Sequence, residues 1–280
     1  MLIRYGYEIT IECENPLPLV NQMSVRPERK IDLRGAEEFS TNPSVPYSTY
    51  LDFYGNYCIR LTAPPGRFTM RSDATIGDSG LPDPVGHGAH QMAIEELPDD
   101  VLIYLMASRY CDTDLLTAAA WDLFDLLPKG WERVQGIVDW VNNHITFNYQ
   151  DADSTRTAHG AFEQKKGVCR DFAHLAISFC RAMNIPARYI NGHLGDIRIK
   201  PPADPMDFAA WMQVYLAGRW WTFDPRNNAA RVGRIVIGHG RDAADVALLS
   251  SFGGHRLEAF TVWTDEVDEA GNKIEQTNYV

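Results

Sequence analysis

The chain has 280 residues, enough for one large domain or two modest ones. Apolar residues make up 45% of it and charged residues 22%, the balance of a globular protein rather than a disordered one. A formal net charge of −11, with no Lys/Arg cluster, argues against nucleic acid or an anionic membrane surface as a partner.

Residues 1 to about 75 read as β-structure. Ile3 to Ile11 carries much of the alternation of a half-buried strand. Asn15-Pro16-Leu17-Pro18 breaks it, and Met23 to Pro27 reads as a short edge strand, since proline cannot serve a central ladder. Asp52-Phe53-Tyr54-Gly55-Asn56 reads as a turn, with Gly55 and Asn56 able to take positive φ, and Cys58 to Leu61 and Arg67 to Ala74 follow as strands. Gly77 to Gly88, punctuated by glycine and proline, reads as a mobile linker. The expected organisation is a β-rich unit with its linker over 1–88 and a second unit over 89–280.

Beyond the linker the period changes to that of helices. Pro98 to Ala107 and Leu115 to Leu126 carry apolar residues at i, i+3, i+4 spacing, and Asp114 is a candidate cap for the second. In Trp131 to Ile145, Val134, Ile137, Val138, Val141 and Ile145 fall on one stripe behind Pro128 and Gly130. Phe147 to Tyr149 reads as a short extended piece and 150–160 as a polar loop. A helical run then begins at Cys169 and stops where Asn184-Ile185-Pro186 forbids continuation. Ala187 to Asn191, Trp211 to Leu216 and Arg219 to Phe223 read as strands, the last two joined by a tight hairpin at Ala217-Gly218. Helices followed by antiparallel strands predict an α+β fold.

The five cysteines form no C-x-x-C pair, which suits free thiols in a reducing cytoplasm. Met1 to Glu8 lacks the apolar core of a signal peptide, and no run approaches the length of a membrane span. The eight histidines are scattered, so neither a metal nor another cofactor is expected.

The chemistry concentrates in two segments. Gly167-Val168-Cys169-Arg170-Asp171 places a cysteine at a helix start, where first-turn N–H groups and the helix dipole favour a thiolate. Arg170 would add positive character, and Asp171 suits a helix-start partner. Asp207-Phe208-Ala209-Ala210-Trp211 leads through Tyr215-Leu216 to Trp220-Trp221-Thr222-Phe223-Asp224-Pro225. Together these resemble the transglutaminase-like superfamily, whose pattern runs G-x-C at a helix start, then H-A-W-x-E-V-Y-L, then W-x-x-F-D-P/A. The resemblance covers roughly residues 100 to 256. It implies a papain-like core, a Cys-bearing helix packed on an antiparallel sheet. The early strand, Arg26-Pro27 and the Asp52–Asn56 turn are similar to the N-terminal β-domain that precedes many bacterial members.

By resemblance, Cys169 is the nucleophile and Asp224 the acid that orients a base. The family histidine falls on Ala209, and a methyl group cannot take a proton. Three accounts stay open. The site is inactive and the domain binds or scaffolds; another histidine stands in; or Cys169 acts alone as a helix-stabilised thiolate. For the second, antiparallel pairing of the strand ending at Gly192-His193 with the one starting near Phe208 would bring His193 beside Ala209. Trp211 is a candidate substrate-binding platform or a core residue. His174 and Cys180 read as structural, and the Cys169 N–H as one oxyanion donor. The expected activity is cysteine acyl transfer, hydrolysing peptide, isopeptide or other amide bonds of a peptide or protein partner through a Cys169 thioester. The alternative is an inactive binding or assembly module.

Overall fold

The computed structural model describes residues 1–200, 202 and 205–275. The first half supplies β1 (Leu2–Cys13), β2 (Leu17–Asn21), β3 (Glu38–Asn42), β4 (Tyr47–Leu51), β5 (Tyr57–Ala63) and β6 (Gly66–Gly77). Alternation along β1 buries Ile3, Tyr5, Tyr7, Ile9 and Ile11. Tyr7, Ile9 and Ile11 join Leu17 and Leu19 of β2, Ile59 and Leu61 of β5, and Phe68 and Met70 of β6 in one buried cluster, so two sheets share a core. The Asp52–Asn56 turn closes the β4–β5 hairpin as expected. The Asp52 carboxylate accepts the N–H groups of Tyr54 and Asn56, both at 2.8 Å.

The helical layer follows: α1 (Thr113–Phe124), α2 (Trp131–His144), β7 (Thr146–Phe147), α3 (Ala158–Gln164), β8 (Lys166–Gly167) and α4 (Cys169–Ala182). Residues Asp171 to Ala182 of α4 are all buried. The helix packs against α1, α2 and α3 on one side and a sheet on the other, so it is the core helix of this half. That sheet is antiparallel and ordered β11 (Arg219–Phe223), β10 (Ala209–Leu216), β9 (Ala187–Leu194), β12 (Arg234–Gly240). Ala217 and Gly218 both take positive φ, 49° and 80°, in the predicted hairpin. No helix among the described residues is long and apolar enough to cross a membrane.

The last strands, β13 (Leu249–Ser251) and β14 (Arg256–Val267), do not stay with this layer. β13 pairs with β2, and β14 pairs with β1 along nearly its whole length, completing sheets ordered β13-β2-β5-β4 and β14-β1-β6-β3. The strand pairing therefore does not follow the division at residue 88. β1 has two edges and β6 fills only one, so the C-terminal strand satisfies the other.

Other expectations change for local reasons. Leu17–Asn21 is a strand despite Pro18, which is exposed near its start. Residues 23–27 are not a strand: the Met23 N–H goes to the Asn21 side chain, the Val25 N–H to Glu37, and the Arg26 N–H to Val236 O. Pro98–Ala107 condenses to one 3-10 turn, Leu102–Leu105. Asp112, not Asp114, flanks the start of α1, and its carboxylate accepts from the His159 N–H. Part of the expected 150–160 loop begins α3, where Thr157 caps Gly160 N–H at 3.3 Å. The 77–88 segment is irregular but fastened: Asp83 N–H donates to Arg231 O and its carboxylate accepts Arg231 N–H, both at 2.9 Å.

Candidate functional site

The start of α4 is built around Asp171. Its carboxylate accepts the Val168 N–H at 2.9 Å and pairs with Arg156 at 3.0 Å, with Arg170 at 3.7 Å. Burial raises the Asp171 pKa, against the opposing pull of the Val168 N–H, Arg170 and Arg156. A Cβ on Gly167 would lie 2.5 Å from this carboxylate, so the glycine two residues before Cys169 is required by close approach. The Arg170 guanidinium lies against the Tyr110 ring and donates to the Asp153 carbonyl.

Cys169 is partly exposed, unlike the other four cysteines, which are buried and free. It opens on a cavity of about 50 Å³ whose lining includes Phe147, Tyr149, Asp207, Ala209, Arg226 and Asn227. Burial pushes the thiol up to about 11. The Ala210 N–H and Arg226 oppose that shift, whereas the Asp207 and Asp224 carboxylates add to it. The expected helix-stabilised thiolate is corrected here: Asp171 already answers the positive end of α4, and the Asp207 and Asp224 charges oppose a thiolate. At neutral pH the group is a thiol.

Asp224 stands at the end of β11, buried, at its expected place. Its carboxylate accepts the Asn227 N–H at 3.0 Å, the Asn227 side-chain amide at 2.8 Å and Arg234 Nη2 at 2.9 Å. Burial alone would raise its pKa, but Arg234 and Asn227 reverse that and hold it below the ordinary value. Arg234 in turn grips Asp83 through Nε at 2.8 Å and 3.1 Å. The acid thus belongs to an Asp83–Arg234–Asp224 ion triad that ties the 77–88 segment to β12. Asp224 lines a neighbouring cavity with Asp83, and Asn227 is its link to the Cys169 side.

His193 is not brought to Cys169. β9 and β10 do pair antiparallel, with Gly192 opposite Ala209. Leu194 lines the Cys169 cavity, while the His193 ring is fully buried between Tyr5 and Phe208, centroids 5.1 Å and 4.8 Å away. Strand alternation turns the two neighbours to opposite faces. His193 Nδ1 lies 3.2 Å from Thr264 Oγ1, and burial pushes its pKa down to about 3. The stand-in base is therefore corrected to a core histidine. Among the described residues that line the Cys169 cavity there is no histidine. Trp211 is also core, fully buried beneath the Arg234 guanidinium at 4.8 Å, not a substrate platform. His174 is structural as expected: Nε2 accepts the Ala243 N–H at 3.1 Å, and the ring stacks on Tyr110.

Sequence reasoning did not single out Asp207, Arg226, Asn227 or Arg234. Asn227 follows an Asp-Pro turn by two residues, a local signal for a side chain returning to the Asp carboxylate. Arg234 has no local signal, since it reaches Asp224 only through the fold.

A cysteine at the start of a core helix, an acid at the end of a facing antiparallel strand and an intervening strand for a third group define the transglutaminase-like, papain-related class. Residues 124–225 match the family model of the transglutaminase-like superfamily. The whole chain superposes on 93% of a candidate cysteine protease from Cytophaga hutchinsonii, with a TM-score of 0.84 and 27% identity. An uncharacterized protein of Mycobacterium leprae is 27% identical over 218 residues, 75% of this chain and 77% of its own. An uncharacterized protein of Mycobacterium tuberculosis is 37% identical over 117 residues, 37% of this chain and 36% of its own.

Proposed function

We propose that this chain uses its transglutaminase-like cleft to bind an amide-bearing ligand, a peptide or protein segment, without imidazole-assisted acyl transfer. One observation carries the reading. The base position is Ala209, no histidine is among the described residues that line the Cys169 cavity, and the Asp224 carboxylate is occupied by Arg234 and Asn227. The free cysteines support a reducing, cytoplasmic setting.

A second reading is hydrolysis of peptide or isopeptide bonds through a Cys169 thioester. What favours it is that Cys169 is the one cysteine that is not buried, against a backbone N–H of β10. An acylation burst with p-nitrophenyl acetate separates the two. The binding reading expects no burst at neutral pH. A burst that Cys169→Ala removes would sink it. Ala209→His sharpens the test. General-base help is worth roughly two to four orders of magnitude. With Asp224 tied to Arg234, the single substitution is expected to recover much less than that.

A further inference from the structure

A larger cavity, about 420 Å³, lies away from Cys169 and shares none of its lining residues. Phe53, Tyr54, Tyr104 and Trp220 give it aromatic walls, and Arg188 and His239 also line it. Tyr104 and Trp220 meet edge to face at 5.2 Å, and Tyr54 lies 6.5 Å from Tyr104.

Arg188 is the unusual member. Its Nε and Nη2 both donate to Gln213 Oε1, at 2.9 Å and 2.6 Å, and its Nη1 meets His239 Nε2 at 3.3 Å. The guanidinium stacks 4.1 Å over Trp220. Among the described residues no carboxylate pairs with it within 4.0 Å. The acid Glu28 acts on it from further away and is itself bound to Arg26 at 2.6 Å. Burial lowers the Arg188 pKa only to about 10, so it stays charged at neutral pH. His239, pushed down to about 2 by burial, then by Arg188 and Arg26, is neutral and supplies no charge. A sheltered cation whose partners are an amide, a neutral imidazole and the Tyr104 hydroxyl is left without a counter-ion beside an open, aromatic-walled space.

The geometry points to a binding site for a small planar monocarboxylate. Its carboxylate would take the Arg188 N–H that these partners leave, and its ring would lie against Trp220, Tyr104 and Tyr54. The exposed rim carboxylates Asp99 and Asp100 restrict the ligand to a single negative charge, since a polyanion would meet both. This site is independent of the Cys169 reading.

Isothermal titration of the full chain with benzoate tests it. Benzoate is expected to bind at millimolar concentrations or better, with inorganic phosphate and benzylamine at least about tenfold weaker. Arg188→Gln is expected to abolish benzoate binding while Cys169→Ser leaves it unchanged. Absence of heat with benzoate, equal binding by Arg188→Gln, or preference for benzylamine or phosphate would each overturn the proposal. Should Arg188→Gln fail to fold, the unmodified protein still decides. Its melting temperature must rise with benzoate and not with benzylamine, and Asp99→Asn with Asp100→Asn must narrow the gap between benzoate and phosphate.

Discussion

At the start of α4, everything that positions the nucleophile is present: Gly167 gives way to the Asp171 carboxylate, Asp171 gathers the Val168 N–H and Arg156, and Cys169 is left at the mouth of a cavity. Across that cavity, the ends of β10 and β11 present the opposite case. The base position is a methyl group, and the acid has been drawn into an ion triad with Arg234 and Asp83. The contrast teaches that the two ends are held by different forces. The Asp171 cluster stabilises the helix whatever the thiol does, so it can persist without catalysis. Asp224 keeps its place because it now serves the packing of β12 and the 77–88 segment.

The largest expected effect breaks the strand side. Arg234→Met leaves Asp83 and Asp224 without their shared cation, and removing one member of a buried ionic group costs about 3–5 kcal/mol. Urea denaturation at pH 7 reads this directly. A loss under about 1 kcal/mol would show that the triad does not hold the strand side.

On the helix side, a thiol near 11 carries about two to three hundredfold less thiolate at pH 7 than a free cysteine near 8.5. Even after its higher intrinsic nucleophilicity is counted, iodoacetamide should modify Cys169 at least about tenfold more slowly than glutathione. The rate should climb about tenfold per pH unit between roughly 7 and 10. Rapid labelling that levels off below pH 8 would reverse the assignment of a neutral thiol.

Gly167→Ala probes the same end by steric means. The new methyl must displace the Asp171 carboxylate from 2.5 Å, at an expected loss of about 1–3 kcal/mol. A variant as stable as the parent would mean that the Asp171 cluster yields without penalty.

The last test concerns His193, whose effect is confined to acid pH. Its folded pKa, about 3, lies below the unfolded value near 6.5. In that interval the unfolded chain binds the proton and the folded chain does not. The contribution is therefore fully present above about 6.5 and is lost as the pH falls towards about 3, at up to roughly 1.4 kcal/mol per pH unit. His193→Phe should flatten the acid limb of the stability curve by that slope. An unchanged limb would argue against a buried neutral ring.

Much of this was legible from local pattern. The stripe of Val134, Ile137, Val138 and Val141, the Cys169 helix and the Ala217-Gly218 hairpin all declare themselves within one element. So did the places of Cys169 and Asp224. What stayed hidden depends on distant chain. His193 lies beside the right strand but on the wrong side of its own, and only Tyr5, Phe208 and Thr264 reveal which face is core. Arg234 reaches Asp224 across a turn and a strand start. β14 gives little local signal: its first half is exposed, Leu257 and Phe260 included, so it lacks the alternation of a half-buried strand.

The return of β14 to β1 also sets a schedule. A ribosome adds roughly 5–20 residues per second, so β1 waits on the order of ten to fifty seconds after its own synthesis for its second neighbour. Throughout that wait one side of its backbone is an open template for any extended chain nearby. Expression yield should therefore respond to elongation speed and temperature more sharply than the stability of the finished fold would suggest, and chains released before residue 256 should collect in the insoluble fraction.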